Sequence, residues 1–117
     1  MTALDITVPV PPGEVAVNRR YCKSGVLARR WRAGRDEIVM HLRQAWRKEP
    51  IAGPVRVELH AHWPTAAGDV DSPVKAVLDA LQHAGVVVND RQIIDLHVTR
   101  SKGGRGSMQI VVERLRD

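Results

Sequence analysis

The chain has 117 residues, 44% of them apolar, with a formal net charge of +5 and a single cysteine. Those figures suit one compact domain with no room for separate catalytic and targeting units, and they exclude an intrachain disulfide or a cysteine-based zinc site of ordinary spacing. The start MTALDITVPVPP has neither a basic n-region nor an apolar h-region, and no stretch approaches the ~20 apolar residues that span a bilayer, so a soluble, cytoplasmic protein without a membrane partner is expected.

Leu4, Ile6 and Val8 alternate with polar or small neighbours, which predicts a short strand ended by Pro9, Pro11 and Pro12. A loop through Asn18 and Tyr21 follows. From about Leu27 to Trp46, apolar residues at Leu27, Trp31, Ile38, Leu42, Ala45 and Trp46 recur at helical spacing and predict an amphipathic, arginine-rich helix. Gly34 lies in its middle and costs about 1 kcal/mol relative to alanine, so a break is expected there if anywhere. The alternation Val55, Val57, Leu59, Ala61, Trp63 predicts a strand with Arg56, Glu58, His60 and His62 on its other face.

Val74, Val77, Leu78 and Leu81 mark a second helix stopping near Gly85, with Asp71 or Ser72 as its cap and Pro73 in its first turn. Asn89 and Asp90 form a turn pair, Ile93 to Thr99 or Arg100 a strand, and Met108, Ile110 and Val112 a closing one. Because only the glycine-rich turn 101–107 separates these last two, they are expected to form a β-hairpin. The expected fold is therefore α/β (α+β), a single small domain over 1–117 of order β-α-β-α-β-β, with a mixed sheet and two helices packed against it. Three tryptophans, one tyrosine and no phenylalanine make a modest core, so a subunit interface is expected to supplement it.

The basic residues are unevenly spread. Arg19, Arg20, Lys23, Arg29, Arg30, Arg32, Arg35, Arg43, Arg47 and Lys48 crowd about a quarter of the chain, against only Asp36 and Glu37. Clustered Lys and Arg gain affinity for nucleic acid by releasing its counterions, although charge alone also fits an inert basic surface or an RNA-binding module; no RRM or KH signature supports the latter. Lys102 and Arg105 in the glycine-rich turn could touch phosphates, but the G-x-x-x-x-G-K-[ST] spacing of a nucleotide-binding loop is missing. His60 and His62 lack a third matching ligand and read as a polar sheet face, His83 as a helix-end residue, and His41 and His97 show no recognisable partner. Trp31 and Trp46 fit packing better than base stacking.

The carboxylates Asp69, Asp71 and Asp90 sit at element boundaries, where side chains project from a scaffold. Asp69 and Asp71 flank Val70 and point to one side of an extended segment, with Lys75 one turn into the helix beyond. If the return through Asp90 passes the helix start, three carboxylates and a lysine converge. Such a cluster suits Mg²⁺, which prefers carboxylate oxygens and water and cleaves phosphodiesters by polarising the phosphate and acidifying a water. A D-x-D before a helix is also an ordinary cap and surface feature, and Asp79 reads as a solvated i,i+4 partner of Lys75.

The stretch DVDSPVKAVLDALQHAGVVVNDRQIIDLHVTRSK, from Asp69 to Lys102, resembles the RusA family of Holliday junction resolvases: D-x-D, a lysine four residues on, a D-A-L helix, then N-D and a short apolar run with aspartate. VPVPPGEVAVNRRY resembles that family's Pro-Pro loop followed by asparagine and an aromatic residue. The resemblance implies a homodimeric, Mg²⁺-dependent (Mn²⁺ as substitute) endonuclease that resolves four-way or otherwise branched DNA by paired nicks leaving 5′-phosphates. It makes Asp69, Asp71 and Asp90 the metal-binding acids, Lys75 the active-site lysine and Asn18 the loop asparagine. Asn18, Arg19, Arg20, Lys23, Arg29, Arg30, Arg32, Lys102 and Arg105 are the candidate DNA contacts. Ser72 stands where the pattern often has asparagine, and the spacer from Pro12 to Asn18 is long. A catalytically inactive junction-binding protein of the same fold is the alternative, disfavoured because all four central positions are kept.

Overall fold

A computed structural model describes residues 1–16, 25–64 and 69–115. In chain order they form β1 (Thr2–Val8), a 3₁₀ turn (Pro12–Val15), α1 (Gly25–Ala45), β2 (Val55–Trp63), α2 (Val74–His83), a second 3₁₀ turn (Asp90–Gln92), β3 (Ile93–Lys102) and β4 (Ser107–Arg114). The single α+β domain with two helices on a mixed sheet is as the sequence pattern predicts. No described helix is long and apolar enough to cross a membrane.

Period-two alternation makes the sheet two-faced. Leu4 and Val8 of β1, the odd residues Val55 to Trp63 of β2, and Met108, Ile110 and Val112 of β4 are all buried on one side, joined there by Trp31, Ile38 and Leu42 of α1 and by Val77 and Leu81 of α2. Arg56, Glu58, His60 and His62 line the opposite, half-buried side, where His60 bonds Thr99 and Ser101, and Ser101 Oγ lies 2.8 Å from His62 Nδ1. His97 is not partnerless on this side, because its Nε2 is 3.0 Å from Asp95 Oδ1.

The strand order is β1-β4-β2-β3, which overturns the expected hairpin. β2 lies between the last two strands, parallel to β3 (Val57↔Leu96, Ala61↔Arg100) and antiparallel to β4 (Val57↔Val112, Ala61↔Met108). The inward residues decide this. From Met108 to Val112 those of β4 are apolar and fully buried, with Arg114 reached only at the strand's exposed end, so β4 suits the middle, whereas β3 turns Arg100 and Lys102 to the helix side opposite Ala61 and Trp63. At that edge the Arg100 guanidinium rests 4.7 Å from the Trp63 ring centroid and still reaches water. The link from β3 to β4 therefore passes over the end of β2, two strand spacings of about 4.8 Å each. Gly103 N donates to Trp63 O at 2.8 Å, Gly104 and Gly106 adopt φ of 59° and 94°, and a Cβ on Gly106 would lie 3.1 Å from that of Pro11.

Two local expectations also change. α1 runs through Gly34 without a break, because the missing side chain is filled from outside: a Cβ at Gly34 would be 2.8 Å from Val15 Cγ1. The first 3₁₀ turn thus packs directly on the helix, and Trp31 Nε1 donates to Val15 O at 3.0 Å to fix it there. At α2, neither Asp71 nor Ser72 caps through its side chain. Instead Pro73 is the N-cap, Ser72 Oγ donates back to Asp69 O at 2.9 Å, and Val74 N to Asp71 O at 3.1 Å.

Candidate functional site

The turn Asp69–Pro73 follows the end of β2 and leads into α2, so its backbone is tied to itself and its carboxylates are left outside. Ser72 donates to Asp69 O through both its N–H (3.1 Å) and its hydroxyl (2.9 Å), which consumes main-chain acceptors and leaves the exposed side chains of Asp69 and Asp71 in solvent. Lys75 lies on the first turn of α2, half-buried, and its Nζ is 3.2 Å from Asp79 Oδ1. The i,i+4 pair anticipated from spacing is formed, and it holds the ammonium along the flank of α2.

Asp90 stands elsewhere. Its N–H donates to Gln82 Oε1 at 3.2 Å, at the last turn of α2, and the Asn89 side chain accepts from Arg91 N at 2.9 Å to cap the 3₁₀ turn that Asp90 opens. Gln92 locks this turn to the chain before β2: its Nε2 donates to Ile51 O at 2.5 Å and Gly53 O at 2.9 Å, while its Oε1 accepts from Val88 N and Asn89 N. The ten residues of α2 rise about 15 Å at 1.5 Å each, so Asp69 and Asp71 occupy one pole of the domain and Asp90 the other. The condition for convergence, a return past the helix start, is not met within one subunit. Among the described residues no three His, Cys, Asp or Glu side chains are grouped to hold a metal.

The described basic candidates fall in two groups. Lys102, the last residue of β3, and Arg105, on the link that crosses the end of β2, are exposed at the pole of Asp69 and Asp71. Arg29, Arg30 and Arg32 are exposed on the N-terminal half of α1. Asn18, Arg19, Arg20 and Lys23, together with Tyr21 and Cys22, lie outside the described residues. Trp31 and Trp46 are 1% and 5% exposed and pack in the core, which removes them as stacking platforms. A cleft of about 470 Å³ brings two members of the basic cluster, Arg43 near the C-terminal end of α1 and Arg47 just beyond it, beside His83 of α2.

Residues 9–113 match the family model described as Endodeoxyribonuclease RusA. The chain is 30% identical over 114 residues to the crossover junction endodeoxyribonuclease RusA of Escherichia coli strain K12 and to that of Shigella sonnei strain Ss046, covering in each case 94% of this chain and 95% of the other. It is 29% identical over the same span to the crossover junction endodeoxyribonuclease of enterobacteria phage 82.

Proposed function

The chain belongs to the RusA endodeoxyribonuclease family, and from that premise we propose that it resolves four-way DNA junctions in recombination and repair by paired, Mg²⁺-dependent nicks. The observation that carries this reading is the pair Asp69 and Asp71, exposed at the start of α2 with Lys75 one turn on, inside the segment that matches the family.

The donors suit the group they would hold. Mg²⁺ takes oxygen ligands and keeps several waters, and two exposed carboxylates either side of Val70 offer oxygens without burying a charge. Bound there, Mg²⁺ or Mn²⁺ supplies an acidified water and neutralises charge on the phosphate. Lys75 presents its ammonium toward the phosphate oxygens, and Asp79 limits the conformations it must give up to do so.

Asp90 completes the set through a second copy. When two subunits pack with their α2 helices antiparallel across a two-fold axis, the Asp90 pole of each copy meets the Asp69–Asp71 pole of the other. A homodimer of this kind has two equivalent sites, one for each nick, and its dyad matches that of the junction.

Incubating the protein with a labelled four-way junction and a matched linear duplex tests the activity. Symmetric nicks in the junction alone, present with Mg²⁺ and absent with EDTA, are expected; junction binding without any cut would replace the reading with an inactive binding protein. Asp71→Asn is expected to lower cutting at least ~100-fold while leaving junction affinity in EDTA within about threefold. Mixing Asp71→Asn with Asp90→Asn chains tests the shared site: each mixed dimer keeps one intact site and makes single, unpaired nicks. No recovery on mixing would put all three acids in one subunit.

A further inference from the structure

The cleft between the C-terminal ends of α1 and α2 is not among the residues the motif singles out. Val39, Met40, Arg43 and Gln44 of α1 line one side, Arg47 just past the end of that helix joins them, and His83 of α2 lies across from them. Arg43 Nη2 donates to His83 O at 3.2 Å, so this guanidinium closes the C-terminus of α2 and is held in place rather than waving in solvent. Arg47 follows four residues later, beyond the helix, with its side chain exposed. Among the described residues the one carboxylate on the lining, Asp36, lies two turns back and is paired at 3.1 Å with Arg35, leaving the cationic end of the cleft unneutralised by it.

Its position gives it a ligand. Gln82, next to His83, holds the Asp90 N–H through its side chain, so the cleft opens at the same pole as Asp90. A DNA strand whose reacting phosphate sits by Asp90 must continue its backbone across the neighbouring surface, and the guanidiniums of Arg43, near the end of α1, and of Arg47, just beyond it, line one cleft with forked donors. We propose that Arg43 and Arg47, with His83, seat a non-scissile phosphodiester of the substrate, positioning the strand for the site that Asp90 serves. This rests on the reading of the chain as a DNA junction endonuclease, but it concerns binding and not the chemical step.

The test uses fluorescence anisotropy of a labelled four-way junction and a labelled duplex, in EDTA, over a range of NaCl concentrations. Arg47→Gln, which touches no helix end, is expected to weaken binding about tenfold at 0.1 M salt and to lower the slope of log K against log salt by about one. Arg43→Gln/Arg47→Gln is expected to lower it further, with thermal unfolding run alongside to confirm that the α2 terminus survives; if it does not, Arg47→Gln alone decides. Unchanged affinity and slope for Arg47→Gln overturn the proposal and leave the cleft to an acidic protein partner. Because the readout excludes metal, the two readings separate: a parent chain that binds through the cleft but never cuts keeps this inference and loses the activity, whereas one that cuts junctions and is indifferent to Arg47 loses the inference alone.

Discussion

Replacing the three glycines of the β3–β4 link one at a time with alanine separates two physical effects at a single crossing. Gly103 lies outside the left-handed region and an added Cβ meets nothing within 4 Å, so Gly103→Ala removes only unfolded-state entropy and is expected to change stability by between zero and about 0.5 kcal/mol in the favourable direction. Gly104 also faces open space but sits at φ 59°, where a side chain costs roughly 1–2 kcal/mol; offset by the same entropy term, Gly104→Ala should destabilise by about 1 kcal/mol. Gly106 carries both burdens. Its φ is 94°, and the new Cβ would stand 3.1 Å and 3.2 Å from Cβ and Cα of Pro11, the second a backbone atom that cannot rotate away. Adding ~1–2 kcal/mol of overpacking gives a loss of about 2–4 kcal/mol, or roughly 8–16 °C in Tm at about 4 °C per kcal/mol for a chain of this length. Urea or thermal unfolding of the three variants reads the ranking directly. A Gly106→Ala protein within about 0.5 kcal/mol of Gly103→Ala would refute the account of the link as a crossing pressed against Pro11.

Other perturbations follow the same contacts. Gln92→Ala removes four hydrogen bonds, two that pin the Asp90 turn to Ile51 and Gly53 and two that accept from Val88 N and Asn89 N, and is expected to destabilise by about 2–3 kcal/mol and to speed hydrogen exchange at Val88 and Asn89 selectively. Trp31→Phe deletes the donor to Val15 O and part of a fully buried ring, and should lose about 2 kcal/mol by urea unfolding. Asp79→Asn breaks a partly exposed i,i+4 pair, so its midpoint should move by less than the equivalent of about 0.5 kcal/mol.

Both α-helices and all four strands were legible in the sequence from apolar spacing: Val55 to Trp63 at two, Trp31, Ile38 and Leu42 near 3.6, and in β3 the run Ile93, Ile94, Leu96, Val98, which is only partly covered. What failed was adjacency. The glycine-rich turn before Ser107 is the local signature of a hairpin, and the competing signal, Arg100 and Lys102 on the inward side of β3, has meaning only once β3 is known to pair with β2. Gly34 misled for a related reason. Its intrinsic helix cost is local, while its use, contact with Val15, depends on a segment earlier in the chain. At the site, the identities of Asp69, Asp71, Lys75 and Asp90 stand out as a pattern, but their separation is set by the length and direction of α2 between them, and a motif records order without distance. Arg43 and Arg47 stand out as members of the basic cluster, but their meeting with His83 in one cleft leaves no trace in the spacing of α1 alone.

The strand order also sets a timetable. β4 is the last strand made, yet it lies between β1 and β2 and pairs with both, Ile6 meeting Ile110 across nearly the whole chain. Until it emerges from the ribosome, β1 has no partner and β2 presents a bare apolar edge, so a nascent chain holds α1, β2 and α2 in waiting and the sheet closes in one late, long-range step. Translation stopped short of Met108 would release a polypeptide containing every acid of the site and none of the domain's middle, a form suited to degradation or aggregation and unable to reach DNA as a folded nuclease.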